Sequence, residues 1–324
     1  MKLVVIFFSL LVVASAQIAA DHPTASISNG VITAKLYTPD ADNGYYRGTR
    51  FDWSGVVYSL TYKDHEYFGE WQKSTDPRLH DRITGPVEEY RSDGKGLGYD
   101  EAAVGGRFVR IGVGACEKPE EDDYRWTHSY KVVDPGVWTT KKGKNWIEFT
   151  QALDAGNGYA YLYTKRLTLT EGAPELILSH RLENTGTKVI ASSVYNHNFF
   201  VIDSQPTGPD FVVRFPFALT AVENRLNGFA EVRGKELVYV KEIPQGTSII
   251  TLLEGFGSTA ADHGFEIENR KVKAGVRMST DKPLSKMQFW SPRTTLCPEP
   301  YVDLSIESGK SESWTIRYEF YTLD

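Results

Sequence analysis

Cysteine is scarce: Cys116 and Cys297 are the only two in 324 residues, and two thiols do not make a disulfide framework. The sequence leaves open whether they pair. Helical periodicity is also missing, because no segment longer than about ten residues keeps an apolar stripe at helical spacing. Basic charge is in deficit, with 36 Lys and Arg against 42 Asp and Glu. No basic stripe suits a phosphate backbone, which argues against a nucleic-acid partner. The longest mainly apolar run, Leu3 to Val13 with Ser9 inside it, falls well short of the roughly 20 residues that span a bilayer. No Gly-x-Ser-x-Gly elbow or helix-rich α/β pattern supports a serine hydrolase. His22, His65, His128 and His263 have no His-x-x-x-His spacing, so no metal and no cofactor are expected. The acidic run Glu120-Glu121-Asp122-Asp123 lacks the spacing and glycine of a calcium loop and reads as solvated.

What is present begins with Lys2, the apolar run and Ala14-Ser15-Ala16, which together match a secretory signal peptide covering residues 1–16. No cysteine follows the run, which argues against a lipid-anchored N-terminus. The expected product is secreted or periplasmic and free of the membrane after cleavage. Removing Lys2 leaves 35 basic against 42 acidic residues, a charge near −7. No Pro/Ser-rich or low-complexity linker interrupts residues 17–324, so they are read as a single domain.

Alternating apolar residues recur from end to end and predict strands almost everywhere. Asn29-Gly30 between two such runs predicts a hairpin with a type I′ turn. Tyr161, Tyr163, Leu167 and Leu169 share one parity, as do Leu176, Leu178, His180 and Leu182, so these two runs read as neighbouring strands. The last strand should turn Trp314, Ile316, Tyr318 and Phe320 inward and Thr315, Arg317 and Glu319 outward. Arg107–Gly114 reads as one strand and Val189–Tyr195 as another. Long loops are expected between Glu66 and Gly105, where Asp, Gly, Pro and charged residues dominate. A dozen or more strands imply an all-β fold, a large antiparallel β-sandwich.

Two segments carry candidate chemistry. In Tyr195-Asn196-His197-Asn198-Phe199-Phe200 an imidazole sits among aromatic rings at a strand end, where burial can tune its proton exchange. In Cys297-Pro298-Glu299-Pro300-Tyr301 a carboxylate lies between two prolines of fixed φ, and apolar neighbours would raise its pKa. Alone, each is equally an ordinary core histidine or a solvated glutamate.

Asn-His-x-x-Phe at a strand end and a later Glu-Pro before a glycine turn (Glu307-Ser308-Gly309) and an aromatic strand, in this order, resemble the galactose mutarotase (aldose 1-epimerase) superfamily. Leu176–Leu182 followed by Glu183-Asn184-Thr185-Gly186 is similar to the strand and turn preceding the family's histidine. The resemblance implies that His197 is the general acid at the sugar ring oxygen and Glu299 the base at the anomeric hydroxyl. Ring opening, rotation and reclosure would then interconvert anomers of a free mono- or oligosaccharide. This requires the imidazole and the carboxylate to face each other across one cleft, separated by about a sugar ring.

Tyr46-Arg47-Gly48-Thr49-Arg50-Phe51-Asp52-Trp53 resembles the family's arginine-bearing segment. It implies Arg47 as the first choice for holding sugar hydroxyls or a phosphate and Arg50 as the second. His80, in Leu79-His80-Asp81, falls where the family has a second histidine, though the glycine that usually follows is missing. Trp53 and Trp290 are candidate stacking walls and Asn196 a polar neighbour of the site. Asp203 and Asp210 are candidates for the family's midchain acidic ligand, without a supporting motif. His180, sharing a face with three leucines, reads as a core or cleft-lining residue. Two other readings stand beside the epimerase: a carbohydrate-binding module without turnover, and a polysaccharide-processing enzyme with a tyrosine or second carboxylate near Glu299. The sugar and the oligomeric state are left open.

Overall fold

The computed structural model describes residues 22–324. The expected signal segment, residues 1–16, lies outside them. Strands supply nearly all the regular structure, and the only helical element among the described residues is one 3-10 turn, Ala260–Asp262.

Two large antiparallel sheets dominate. In one, the neighbouring strands are Ala230–Arg233, Glu236–Tyr239, Phe211–Arg214, Gly264–Asn269, Ala274–Thr280, Ser311–Thr322, Glu175–Asn184, Ala160–Leu169, Trp146–Asp154 and Val137–Lys142. In the other they are Thr220–Arg225, Ser248–Glu254, Lys286–Pro292, Cys297–Ile306, Ile190–Phe199 and Gly85–Arg91. A four-stranded sheet (Thr24–Ser28, Ile32–Tyr37, Val56–Tyr62, His65–Glu66) and a three-stranded one (Arg107–Arg110, Gly114–Glu117, Val132–Asp134) complete the architecture. The sandwich forms because each long strand alternates. Trp314, Ile316, Tyr318 and Phe320 are buried while Arg317 and Glu319 are exposed, and each large apolar side chain removed from water contributes about 1.5–3 kcal/mol.

Four expectations change in detail. The hairpin at Asn29-Gly30 forms, but Gly30 alone has positive φ (+87°), so the turn is not type I′. The Asn29 side chain accepts the Val31 and Ile32 N–H groups instead. Arg107–Gly114 is not one strand: the chain turns after Arg110, with Gly112 at φ +79°, and returns as Gly114–Glu117. His197 lies within the strand Ile190–Phe199 rather than after it. Finally, the region expected to be loop contains Gly85–Arg91, a strand buried over six of its seven residues. Its charges resemble those of a solvated loop, yet Glu88 and Glu89 are both fully buried and both paired.

Candidate active site

The strand Ile190–Phe199 lies between Gly85–Arg91 and Cys297–Ile306 in the six-stranded sheet. Its register with the latter pairs Val194 with Val302 and Tyr195 with Tyr301, and the bridge Phe200 to Leu296 continues the same register past the sixth pair. His197 therefore stands directly opposite Glu299, and side chains of one parity share a face. That face carries Tyr195, His197 and Phe199 from one strand, Cys297, Glu299 and Tyr301 from the next, and Gln288 and Trp290 beyond it, since Gln288 pairs with Glu299 and Trp290 with Cys297. Glu89 joins from the other side, opposite Tyr195. Pro298 and Pro300 occur within a strand and lack N–H donors, but the Pro298 carbonyl still accepts from Asn198 Nδ2 at 2.9 Å.

His197 Nε2 lies 3.2 Å from Glu299 Oε1, near enough for one proton to pass between them. The expected gap of a sugar ring is absent, because adjacent antiparallel strands are only about 5 Å apart. Both residues are buried, at 3% and 1% exposure. Phe199 stacks on the imidazole at 3.9 Å, while Phe51 and Trp290 meet it edge-on, each at 5.5 Å. Trp71 stacks on the far side of Phe199 at 5.3 Å.

Burial pushes the Glu299 carboxyl up to about 7, against the pull of Arg50 and Arg91. Its second oxygen accepts Gln288 Nε2 at 2.7 Å, a neutral donor that compensates less than a cation would. Burial drives His197 well below the ordinary imidazole value, with the nearby Arg50 adding to the effect. Below about pH 7 the pair therefore rests with its proton on Glu299 and the imidazole uncharged. A protonated imidazole with an ionised carboxylate holds the same number of protons, so the family's role assignment differs from the resting state by one proton transfer within the pair.

The arginine order is reversed from expectation. Arg50, not Arg47, reaches this face: its guanidinium donates to Glu89 at 2.7 Å, to Tyr195 Oη at 3.0 Å and to Asp81. Arg47 points away, donating to the Asp42 carbonyl at 2.6 Å and lining a separate pocket of about 650 Å³. Trp53 is not a wall beside His197; it lines that same pocket and donates to the Gly48 carbonyl. His80 does reach the rim through Asp81, at 3.3 Å. Asn196 falls on the opposite parity and donates to Glu88 inside the sandwich. Asp203 is engaged by His65 and the Glu66 N–H, and exposed Asp210 accepts the Arg270 N–H through its carbonyl. Cys116 and Cys297 are both free and buried.

Residues not singled out from sequence complete the site. Glu89 is held by Arg50, Arg91 and Arg110, and these cations overcome its burial to keep it well below the carboxylate range. Trp126, 42% exposed, lies 4.4 Å over the Arg50 guanidinium and edge-on to His80. Strand parity from His197 and Glu299 would have marked Tyr195 and Tyr301. Nothing local in the sequence marks Trp71, Gln288 or Trp126.

Solved structures share this arrangement of strands. A galactose mutarotase and aldose epimerase homologue from C. elegans superposes with a TM-score of 0.57 at 11% identity, covering 93% of this chain and 99% of that one. Galactose mutarotase-like proteins from Lactobacillus casei and Clostridium acetobutylicum give 0.54 and 0.55, each at 13% identity. The first covers 92% of this chain and all of its own, the second 93% and 95%. The chain has the galactose mutarotase-like fold. No protein-family model matches it, and no curated protein does. At these identities the mutarotase-like likeness is one of fold, so function has to be argued from the site.

Proposed function

We propose that the chain is an aldose 1-epimerase-like enzyme that interconverts anomers of a free sugar, with His197 and Glu299 exchanging the two protons. The observation that carries this reading is that His197 and Glu299 stand side by side on one face of the sheet, 3.2 Å apart, with the carboxyl pushed up to about 7, so a sugar would meet both groups from that face and not lie between them. Mutarotation needs one group to give a proton to the ring oxygen while another takes one from the anomeric hydroxyl, and reclosure reverses both transfers. A one-proton pair poised near neutrality suits both directions. His80 and the Arg50–Asp81 pair border the same face and supply polar contacts for hydroxyls.

Polarimetry or anomeric-proton NMR across a broad aldose panel tests this. Catalysed equilibration should fall by about 10²–10⁴-fold in His197→Ala and Glu299→Gln with the circular dichroism spectrum retained. Wild-type rates equal to the uncatalysed ones across the panel would sink the reading. The near-complete burial of the pair favours a second reading, a saccharide-binding module. It is selected if calorimetry shows binding without turnover that survives His197→Ala. For a polysaccharide-processing enzyme, Tyr195 and Tyr301 lie close by, but burial holds both phenols far above their ordinary values. Export as one domain of residues 17–324 belongs to the same proposal, and mass spectrometry of the secreted protein should find Gln17 at its N-terminus.

A further inference from the structure

The cleft beside the His197–Glu299 pair has about 850 Å³ of space, toward the upper end of the roughly 300–1,000 Å³ range of small-ligand sites. Trp71 and Trp290 form two of its walls, 5.4 Å apart with their planes at 80°. Phe199 already covers one face of Trp71, and the Trp71 indole N–H is spent on the Ile83 carbonyl, so what this residue offers the cleft is an apolar ring face. Around these rings stand Lys73, Gln245, Thr247 and Arg293. Indole faces joined to amide, hydroxyl and cationic groups match a pyranose, which is apolar across its C–H face and polar around its rim.

His197 and Glu299 do not line this cleft, yet Trp290 touches both the cleft and the imidazole. A sugar unit held here is therefore one ring layer away from the proton-transfer pair. We infer that the cleft holds the non-reducing units of a reducing oligosaccharide, whose terminal unit extends past Trp290 toward His197 and Glu299. The substrate class is an oligosaccharide rather than a free hexose. This rests on the epimerase reading for its chemistry, while the cleft itself can be tested by binding alone.

The probes are glucose, galactose and mannose, together with the β-1,4-linked di- and tetrasaccharides of each. Anomerisation is followed by NMR and binding by calorimetry, for the wild type and for Lys73→Ala combined with Gln245→Ala, both exposed residues that leave the tryptophan packing in place. The inference expects kcat/KM at least tenfold higher for the best disaccharide than for its monosaccharide, with that ratio falling several-fold in the double variant. Turnover that is independent of chain length overturns it. Absence of turnover, with binding that tightens with chain length and weakens in the double variant, retains the cleft and removes the epimerase. Absence of both turnover and binding overturns the two together.

Discussion

Neighbouring residues on the same two strands meet opposite fates on the two faces of the six-stranded sheet. Glu88 and Asn196 turn inward to the ten-stranded sheet, where Glu88 meets Lys165 and, at 2.8 Å, His180 Nε2. Lys165 also donates to the Ser54 carbonyl and lies 3.6 Å from Asp52, which accepts Tyr163 Oη. Glu89, His197 and Glu299 turn outward to the candidate site. Burial alone would raise all three glutamates. Lys165 and His180 bring Glu88 down to about 2, and three arginines hold Glu89 low. Glu299 has only an amide and a neutral imidazole in contact, and it rises to about 7. Among these three buried glutamates the difference is a cation in direct contact, whereas buried Asp52, sharing Lys165 at 3.6 Å, is still pushed up to about 6 by burial.

The largest test of this contrast removes the cation from the inner face. Lys165→Met leaves Glu88 with His180 alone as an ion-pair partner and Asp52 with no cation, and urea unfolding should show a loss of about 3–5 kcal/mol. Arg91→Ala on the outer face should cost clearly less, because Glu89 keeps Arg50 and Arg110. Equal costs would mean that the two faces are not compensated differently.

Glu299 should behave in the opposite sense. Its folded pKa of about 7 lies above the ordinary 4.5, so the folded state binds the extra proton. The associated stability is fully present below about pH 4.5 and lost as pH rises through 7. Glu299→Gln escapes that loss. It should gain on the wild type by about 3 kcal/mol between pH 4.5 and pH 8, read from paired urea titrations at the two pH values. His197 loses stabilisation on acidification in both proteins, so its contribution largely cancels. A constant difference between variant and wild type would show that Glu299 is ionised throughout.

The same proton sets the expected rate profile. kcat/KM reports the free enzyme, and the pair holds its single proton only below about pH 7. Anomerisation should therefore fall roughly tenfold per pH unit above that point. A flat profile to pH 9 would separate turnover from this pair.

How much of this was legible in the sequence follows from the distance between interacting residues. Alternation is local, so the inward set Trp314, Ile316, Tyr318 and Phe320 was readable, and the order of the histidine and Glu-Pro segments gave the likeness in fold. The strand Gly85–Arg91 was not readable. Its two glutamates look solvated until Lys165, 77 residues from Glu88, and Arg50, 39 residues from Glu89, are folded against them. Choosing Arg50 over Arg47 needed the same information, because both occur in one short segment and only the fold shows which guanidinium faces Tyr195. The direct contact of His197 with Glu299 depends on strand register, which is set by long-range pairing.

Trp126 should give the smallest effect. It stands over Arg50 at 4.4 Å and against His80 at 5.2 Å, but 42% of it is exposed, and a cation–π contact at such a position contributes about 0.5–1 kcal/mol. Trp126→Ala should therefore unfold in urea almost as the wild type does, within about 1 kcal/mol. Its consequence lies in access: the ring covers the Arg50–Asp81–His80 edge, whereas His197 is sealed separately beneath Phe51 and Phe199. Carbethoxylation mapped by peptide mass spectrometry should become several-fold faster at His80 in the variant and stay unchanged at His197. Equal acceleration at both histidines would make Trp126 a cover for the whole face, and the pair would then open to solvent from the Arg50 side.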